Sequence, residues 1–314
     1  MLRIFRVAVS SERILVYDPC SGATRLAPRP VPDGRRRLDD AEVRAWPAAH
    51  PAGLGMDVPV SLCWSPLVRC NLDCPHCLDD KSVPELDAAR RATIGRLIGA
   101  SGVLGVDISG GEPLLLRDLP DVARRLAEDG CAVSITTNGW HLARRISELA
   151  GQADAVRVSL DAPDPSRHDA LRGTGSFRRA IEGIHACRAA GMPVQIQAVL
   201  MATAARHAQA IAELAAGTGA QGVTFLQMLP IGAGRTMAAS EMVDDRAAAE
   251  LVRGLQAPPG LDIRLRTRDA AEGFTVVRAD GRIWRNGSGA LTITPARPLE
   301  HPGDLALRAR DGSA

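Results

Sequence analysis

Long apolar runs are missing from this sequence of 314 residues. None reaches the roughly 18 residues that a membrane-crossing helix needs. The opening Met1-Leu2-Arg3-Ile4-Phe5-Arg6 lacks the extended apolar stretch of a secretory signal. The expected location is therefore cytoplasmic, with no membrane partner. A surplus of one charge is missing too. The 38 basic and 36 acidic residues leave a formal charge of +2, so nothing global points to nucleic acid as a partner. Lysine is almost absent, Lys81 being the single one, which reads as a compositional bias towards Arg. The doublets Arg124-Arg125, Arg144-Arg145 and Arg178-Arg179 read as solvated helix faces. With 46% hydrophobic and 24% charged residues, a disordered or collagen-like chain is excluded. The length suits one large α/β domain, or a domain plus a small appendage.

What is present from about 58 to 255 is a repeated alternation. Short β-rich runs (Val58–Leu62, Gly105–Ser109, Ala132–Thr137, Ala155–Leu160, Pro193–Leu200, Gly222–Leu229) are separated by stretches of helical spacing. Leu119/Val122/Ala123/Leu126, Leu142/Ile146/Leu149 and Phe177/Ile181/Ile184 each form one apolar helix face. Alternating units with short links predict a parallel sheet. Six units fall short of the eight of a closed barrel. The predicted fold is α/β, a partial (β/α)6 TIM-like barrel with short β-rich N- and C-terminal extensions. Its site should lie at the C-terminal strand ends. Residues 1–57 form the first extension, with runs Ile4–Val9 and Arg13–Tyr17 and a Pro- and Arg-rich linker over 26–37. Residues 256–314 form the second, with a hairpin of Phe274–Arg278 and Arg282–Trp284 turning at Asp280-Gly281.

Cysteine placement carries the first functional signal. Seven cysteines in a cytoplasmic chain argue against a disulfide framework. Cys70, Cys74 and Cys77 are crowded into C-x3-C-x2-C directly after the first strand of the repeat, and none follows Cys187. Thiolates this close together select iron–sulfur clusters, zinc or copper(I). A cubane cluster normally takes four thiolates, so three leave one iron open for chemistry. Structural zinc wants a second ligand pair, which is missing; His76 lies awkwardly between two of the cysteines.

Other polar motifs fall at later strand ends. In Ser109-Gly110-Gly111-Glu112-Pro113, two glycines allow backbone to approach a ligand, and a carboxylate can accept from an ammonium group. Thr136-Thr137-Asn138-Gly139 could serve a ribose or carboxylate, or Asn138 could cap a helix. Ser159-Leu160-Asp161 and His168 to Gly173 follow, with Asp161 as ligand contact or cap. Gln195 and Gln197 share a strand face and suggest ligand contact. The sixth run ends Gln227-Met228-Leu229-Pro230, then Ile231-Gly232-Ala233-Gly234-Arg235.

Over about 58–235 these motifs, in this order, resemble the radical S-adenosylmethionine (SAM) superfamily. The resemblance implies a [4Fe–4S] cluster on Cys70, Cys74 and Cys77, whose open iron is chelated by SAM. It implies one-electron cleavage of SAM to a 5′-deoxyadenosyl radical, which abstracts a hydrogen atom from substrate. It also implies SAM contacts at Gly110, Gly111 and Glu112 (methionine amino group), at Thr136, Asn138, Ser159, Arg172 and Gln197, and at Met228 over the adenine, unless Met228 is core. A reducing partner such as flavodoxin or ferredoxin is implied as well. The Gly-x-Gly-Arg element is similar to one in branch members carrying a SPASM or twitch extension. That extension binds auxiliary clusters through cysteines, which this chain lacks after Cys187. Residues 256–314 are therefore read as a reduced version without cluster cysteines. Cys63 is the candidate hydrogen-atom donor, or a small buried strand residue. The lead-in Val60-Ser61-Leu62-Cys63-Trp64 looks most like radical SAM maturases of ribosomally made peptides, and Val16 to Ala23 resembles part of a precursor-recognition module that captures a leader as an added strand. The expected substrate is a precursor peptide. The alternatives are a sugar, nucleoside or aminoglycoside intermediate undergoing epimerisation, dehydration or decarboxylation, and a non-enzymatic accessory protein.

Overall fold

A computed structural model describes residues 1–9, 13–49, 56–267, 274–285 and 296–307. Strands β1 (Leu2–Val9), β2 (Ile14–Tyr17), β3 (Thr24–Leu26), β4 (Gly34–Asp39) and β5 (Ala48–Ala49) form an antiparallel sheet in the order β4-β1-β2-β3-β5. Helix α1 (Asp40–Ala45) follows β4 directly, capped by Asp39. Alternation along β1 buries Phe5 and Val7 against Val16, Val31, Val43 and Trp46. Arg3 shares that face and is paired with Asp18 and Asp40.

The 26–37 stretch is thus no simple linker. Gly34 to Arg37 lie in β4, in register with β1 from Leu2↔Asp39 to Val7↔Gly34. Three consecutive arginines hide this strand from a hydrophobic pattern. Pairing with β1, which no local pattern reports, holds it.

The second sheet contains the repeat. β6 (Ser61–Trp64), β7 (Gly105–Ile108), β8 (Ala132–Thr137), β9 (Ala155–Ser159), β10 (Val194–Leu200), β11 (Gly222–Gln227) and β12 (Asp262–Arg266) are neighbours in chain order and all parallel. The first run starts later than its sequence suggested, because Pro59 supplies no ladder donor. β12 adds a strand beyond the six. On the other edge, β13 (Thr275–Val277) runs parallel to β6, and β14 (Arg282–Arg285) and β15 (Arg297–Pro298) follow antiparallel. The expected hairpin pairs Val276 with Trp284 and turns at Asp280-Gly281, where Gly281 has φ +73°.

Helices α2 (Ala88–Gly99), α3 (Leu119–Glu128), α4 (Leu142–Leu149), α5 (Pro165–Arg172), α6 (Ser176–Ala189), α7 (Ala202–Ala205), α8 (Ala208–Thr218), α9 (Ala238–Glu241) and α10 (Asp245–Gly254) connect these strands. The predicted stripes of α3 and α4 are buried. On α6 the buried line is Ala180, Gly183, Ile184 and Cys187, with Phe177 and Ile181 only half-buried. The shift lets α6 approach α4: a Cβ on Gly183 would stand 2.9 Å from Leu142.

The N-terminal sheet seals the floor of the barrel, the N-terminal end of its strands. A Cβ on Gly105 would lie 2.1 Å from the Tyr17 ring. Arg157 of β9 donates to the carbonyls of Cys20 (3.1 Å) and Pro19 (2.7 Å). Among the described residues no helix is long and apolar enough to cross a membrane.

Candidate active site

The strands end in loops that converge on one cavity of about 210 Å3. Cys70, Cys74 and Cys77 line it from the loop after β6. Leu72 N–H donates to Cys70 Sγ at 3.4 Å, and Asn138 Nδ2 reaches the same sulfur at 3.7 Å and Asn71 Oδ1 at 3.0 Å. The loop is gripped from below by Gly232 and Gly234. A Cβ on Gly232 would stand 2.6 Å from the Leu78 carbonyl, and Gly234 N–H donates to Cys77 O at 3.3 Å. The two glycines of the 231–235 element are therefore spacing residues for the thiol loop.

Gly110 and Gly111 line the cavity after β7. A Cβ on Gly111 would lie 2.1 Å from Arg69 O, and one on Gly110 2.5 Å from Leu67 O. Any side chain there would displace the thiol loop. Thr136, Asn138, Ser159, Arg172 and Gln197 line the same space from the next three strand ends and α5. Gln195 sits one step deeper and donates to Thr224 at 3.2 Å. It is absent from the cavity wall, so the expected glutamine pair divides into one wall residue and one interior bond.

Two of the expected ligand contacts are not among the residues lining the cavity. Glu112 is fully buried. Its carboxylate accepts from Thr137 Oγ1 (2.7 Å), Asn138 N–H (2.8 Å) and Leu114 N–H (3.0 Å). It ties the Gly-Gly turn to the end of β8. Burial raises its pKa, partly offset by these donors. Met228 packs with Met201, Ala204 and Leu171 and is absent from the cavity wall. The apolar side of that strand end faces α7, which claims it for the core.

Behind the thiol loop lies a hub that the motifs did not reveal. Asp161, fully buried, pairs with Arg172 and with His76 Nε2 (3.2 Å), and accepts from Val199 N–H at 2.8 Å. Burial opposes its charge, but Arg172 and His76 win and hold its carboxyl well below the ordinary range. Asp161 is thus a positioning residue, fixing Arg172 from behind and His76 between two of the thiols.

Cys63 lines the same cavity from the end of β6. Burial and the nearby Asp107 push its thiol pKa up, so it stays S–H, the form able to donate a hydrogen atom. Asp107, also unforeseen, accepts from Ser134 (2.9 Å) and Thr136 (2.9 Å) and pairs with Arg157 (3.2 Å). Its signal was an acid alternating with Val106 and Ile108 in β7.

The donor set fits a cluster. The thiols are three, soft and on one loop, around a cradle that two glycines keep open. Burial pushes all three thiols up, Cys74 to about 11, and a coordinating metal favours the thiolate. Among the described residues no three His, Cys, Asp or Glu side chains converge to hold a single metal ion.

Comparison with known proteins agrees with this geometry. Residues 64–215 match the model of the Radical SAM superfamily. The matched segment is a radical SAM domain. GTP 3',8-cyclase of Rhodopseudomonas palustris is 32% identical over 176 residues, covering 52% of this chain and 51% of that protein. The chain thus spans about half the length of the curated relatives it matches first. Streptococcus suis SuiB bound to precursor peptide SuiA superposes with a TM-score of 0.62 at 16% identity, over 73% of this chain and 59% of that one. SuiB bound to S-adenosylmethionine gives 0.58 at 16% identity, over 72% and 60%. These structures share the fold. The superfamily's cofactors are a [4Fe–4S] cluster and SAM, and the named relatives are enzymes.

Proposed function

We propose that this chain is a radical SAM enzyme whose Cys70, Cys74 and Cys77 hold one [4Fe–4S] cluster. The observation that carries this is the convergence of three thiols, the Gly110-Gly111 cradle, Asn138, Ser159 and Arg172 on one cavity. When bound, the cluster and SAM supply a 5′-deoxyadenosyl radical that takes a hydrogen atom from substrate. The chain's own residues do the rest. Gly110 and Gly111 admit the ligand to backbone range. Arg172, steadied by Asp161, offers its fork to a carboxylate. Asn138 donates to a thiolate sulfur. Cys63 holds a neutral S–H on the cavity wall for return of a hydrogen atom.

The substrate is proposed to be a ribosomally made precursor peptide. Support comes from β4, which pairs with β1 on one side only and carries Arg36 and Arg37 along the sheet edge. An acidic leader could add there as a strand. A sugar, nucleoside or aminoglycoside intermediate is the second reading, favoured by the lumen below the thiols and by relatives named for GTP chemistry. Flavodoxin or ferredoxin would deliver the electron, and the cytoplasm would supply both.

The test is anaerobic reconstitution with iron and sulfide, then SAM and a strong reductant. About four irons per chain and 5′-deoxyadenosine, with both lost in Cys74→Ala, are expected. Zinc instead of iron, or no SAM cleavage, refutes the enzyme reading and returns the chain to an accessory role. Eight irons would refute the single cluster.

A further inference from the structure

Below Cys63 the cavity opens into a second chamber of about 480 Å3, which shares Cys63, Asp107, Gln197, Arg266 and Phe274 with the first. Its size is that of a small-ligand site. Its charged wall residues are Asp107, Arg157, Arg264 and Arg266, three cations against one anion.

The cations differ in what they already hold. Arg157 is committed to Asp107 and to the carbonyls of Pro19 and Cys20. Arg264 donates to the carbonyl of Ser21. Among the described residues Arg266 has neither a hydrogen bond nor an ion pair; its one partner is the Phe274 ring, with its guanidinium carbon 3.9 Å from the centroid. Stacking of this kind holds a guanidinium flat and leaves its N–H edge free. That edge lies on a wall common to both chambers. Placing a second guanidinium two residues away on the same strand face adds like charge where burial already opposes it. Burial and Arg264 together pull Arg266 down to about 10, which still leaves it charged at neutral pH. Among the described residues this leaves a cation without a carboxylate in contact on the wall of a ligand-sized space.

We infer that Arg264 and Arg266 form an anion subsite at the floor of the lumen, taking a carboxylate or phosphate group of the substrate so that the adjoining part lies beside Cys63. This rests on the lumen being the substrate site proposed above, and it holds for a peptide carboxylate or a nucleotide phosphate alike. Arg266 would supply the planar fork and Arg264 a second charge behind it.

Isothermal titration calorimetry on the full, cluster-reconstituted chain without SAM tests this, with inorganic pyrophosphate and succinate as probes. Saturable binding of at least one probe is expected. Arg266→Gln should weaken it about tenfold or more, and Arg266→Lys, which keeps charge without the fork, by less. Arg124→Gln, on the exposed face of α3, is the control and should bind as the parent does. Circular dichroism confirms that each variant is folded. Tighter pyrophosphate assigns the subsite to phosphate, and tighter succinate to carboxylate. Absence of saturable binding by the parent, or equal affinity in Arg266→Gln, overturns the inference. Iron content and SAM cleavage of the parent are scored on the same preparation, so a failed cluster assignment is read separately from a failed subsite.

Discussion

Replacing Asp161 by Asn is the sharpest probe of the site's scaffold. The carboxylate is fully buried, and Arg172 and His76 are nearly so. Asn would keep an acceptor for Val199 N–H but turn an amide donor towards Arg172 and His76. Breaking a buried pair from one side typically costs about 3–5 kcal/mol, because the remaining charge is left in a dry site. Set against native stabilities of about 5–15 kcal/mol, that is a third or more of the total. Urea unfolding of the reduced apo chain, followed by circular dichroism, measures it. The pH dependence carries a second signature. The folded carboxyl lies well below its ordinary value of 3.8, so its contribution is complete above that value and fades as pH falls through the depressed one. Parent and Asp161→Asn should therefore differ most near neutrality and converge in acid. His76 sits between Cys74 and Cys77, so iron retained after reconstitution should fall too. A loss below about 1 kcal/mol would refute the reasoning, since only a solvated pair is worth so little.

Three further outcomes follow from close contacts and burial. Gly111→Ala should abolish iron loading while leaving the helical signal near the parent's, because its Cβ would strike Arg69 O at 2.1 Å and move the thiol loop; normal iron content would contradict the cradle. Gly105→Ala should destabilise by about 1–3 kcal/mol through overpacking against Tyr17, read as a lower urea midpoint; Tyr17→Ala in the same chain should restore part of it. His168, buried with Nε2 unpartnered, has its pKa lowered to about 4 by burial and Arg172. The unfolded chain therefore binds the extra proton between about pH 6.5 and 4, and stability should fall as pH drops through that window, at up to about 1.4 kcal/mol per unit. His168→Gln should flatten that slope; an unchanged slope would place the titration elsewhere.

Much of this was legible in the sequence for a physical reason. The strand runs and the stripes of α3 and α4 are local periodicities, and the thiol triplet and Gly-Gly turn are short motifs whose chemistry lies in adjacent residues. What escaped depends on contacts between distant segments. Glu112 reads as a free carboxylate in the sequence, whereas Thr137 and Asn138, some 25 residues on, donate to it in the fold. β4 is a run of arginines until β1 lies beside it. β12, Asp262 to Arg266, inverts the usual logic, since its alternation turns arginines towards the lumen. That Cys63 lies at a strand end is a local fact that the sequence carries; that Asp107 stands beside it depends on strand register, which the sequence does not show.

The seal under the barrel changes how the N-terminal segment should be dissected. Its border with the barrel is no perforation along which the chain can be torn. Tyr17 fills the space a side chain at Gly105 would occupy, and the carbonyls of Pro19, Cys20 and Ser21 satisfy arginines rooted in β9 and β12. Deleting residues 1–57 would strip those arginines of acceptors and uncover the lumen at once, so lost peptide affinity in a truncated chain would say nothing about leader capture. Charge reversal at Arg36 and Arg37, on the edge of β4, leaves Tyr17 and those carbonyls in place and so separates recognition from architecture.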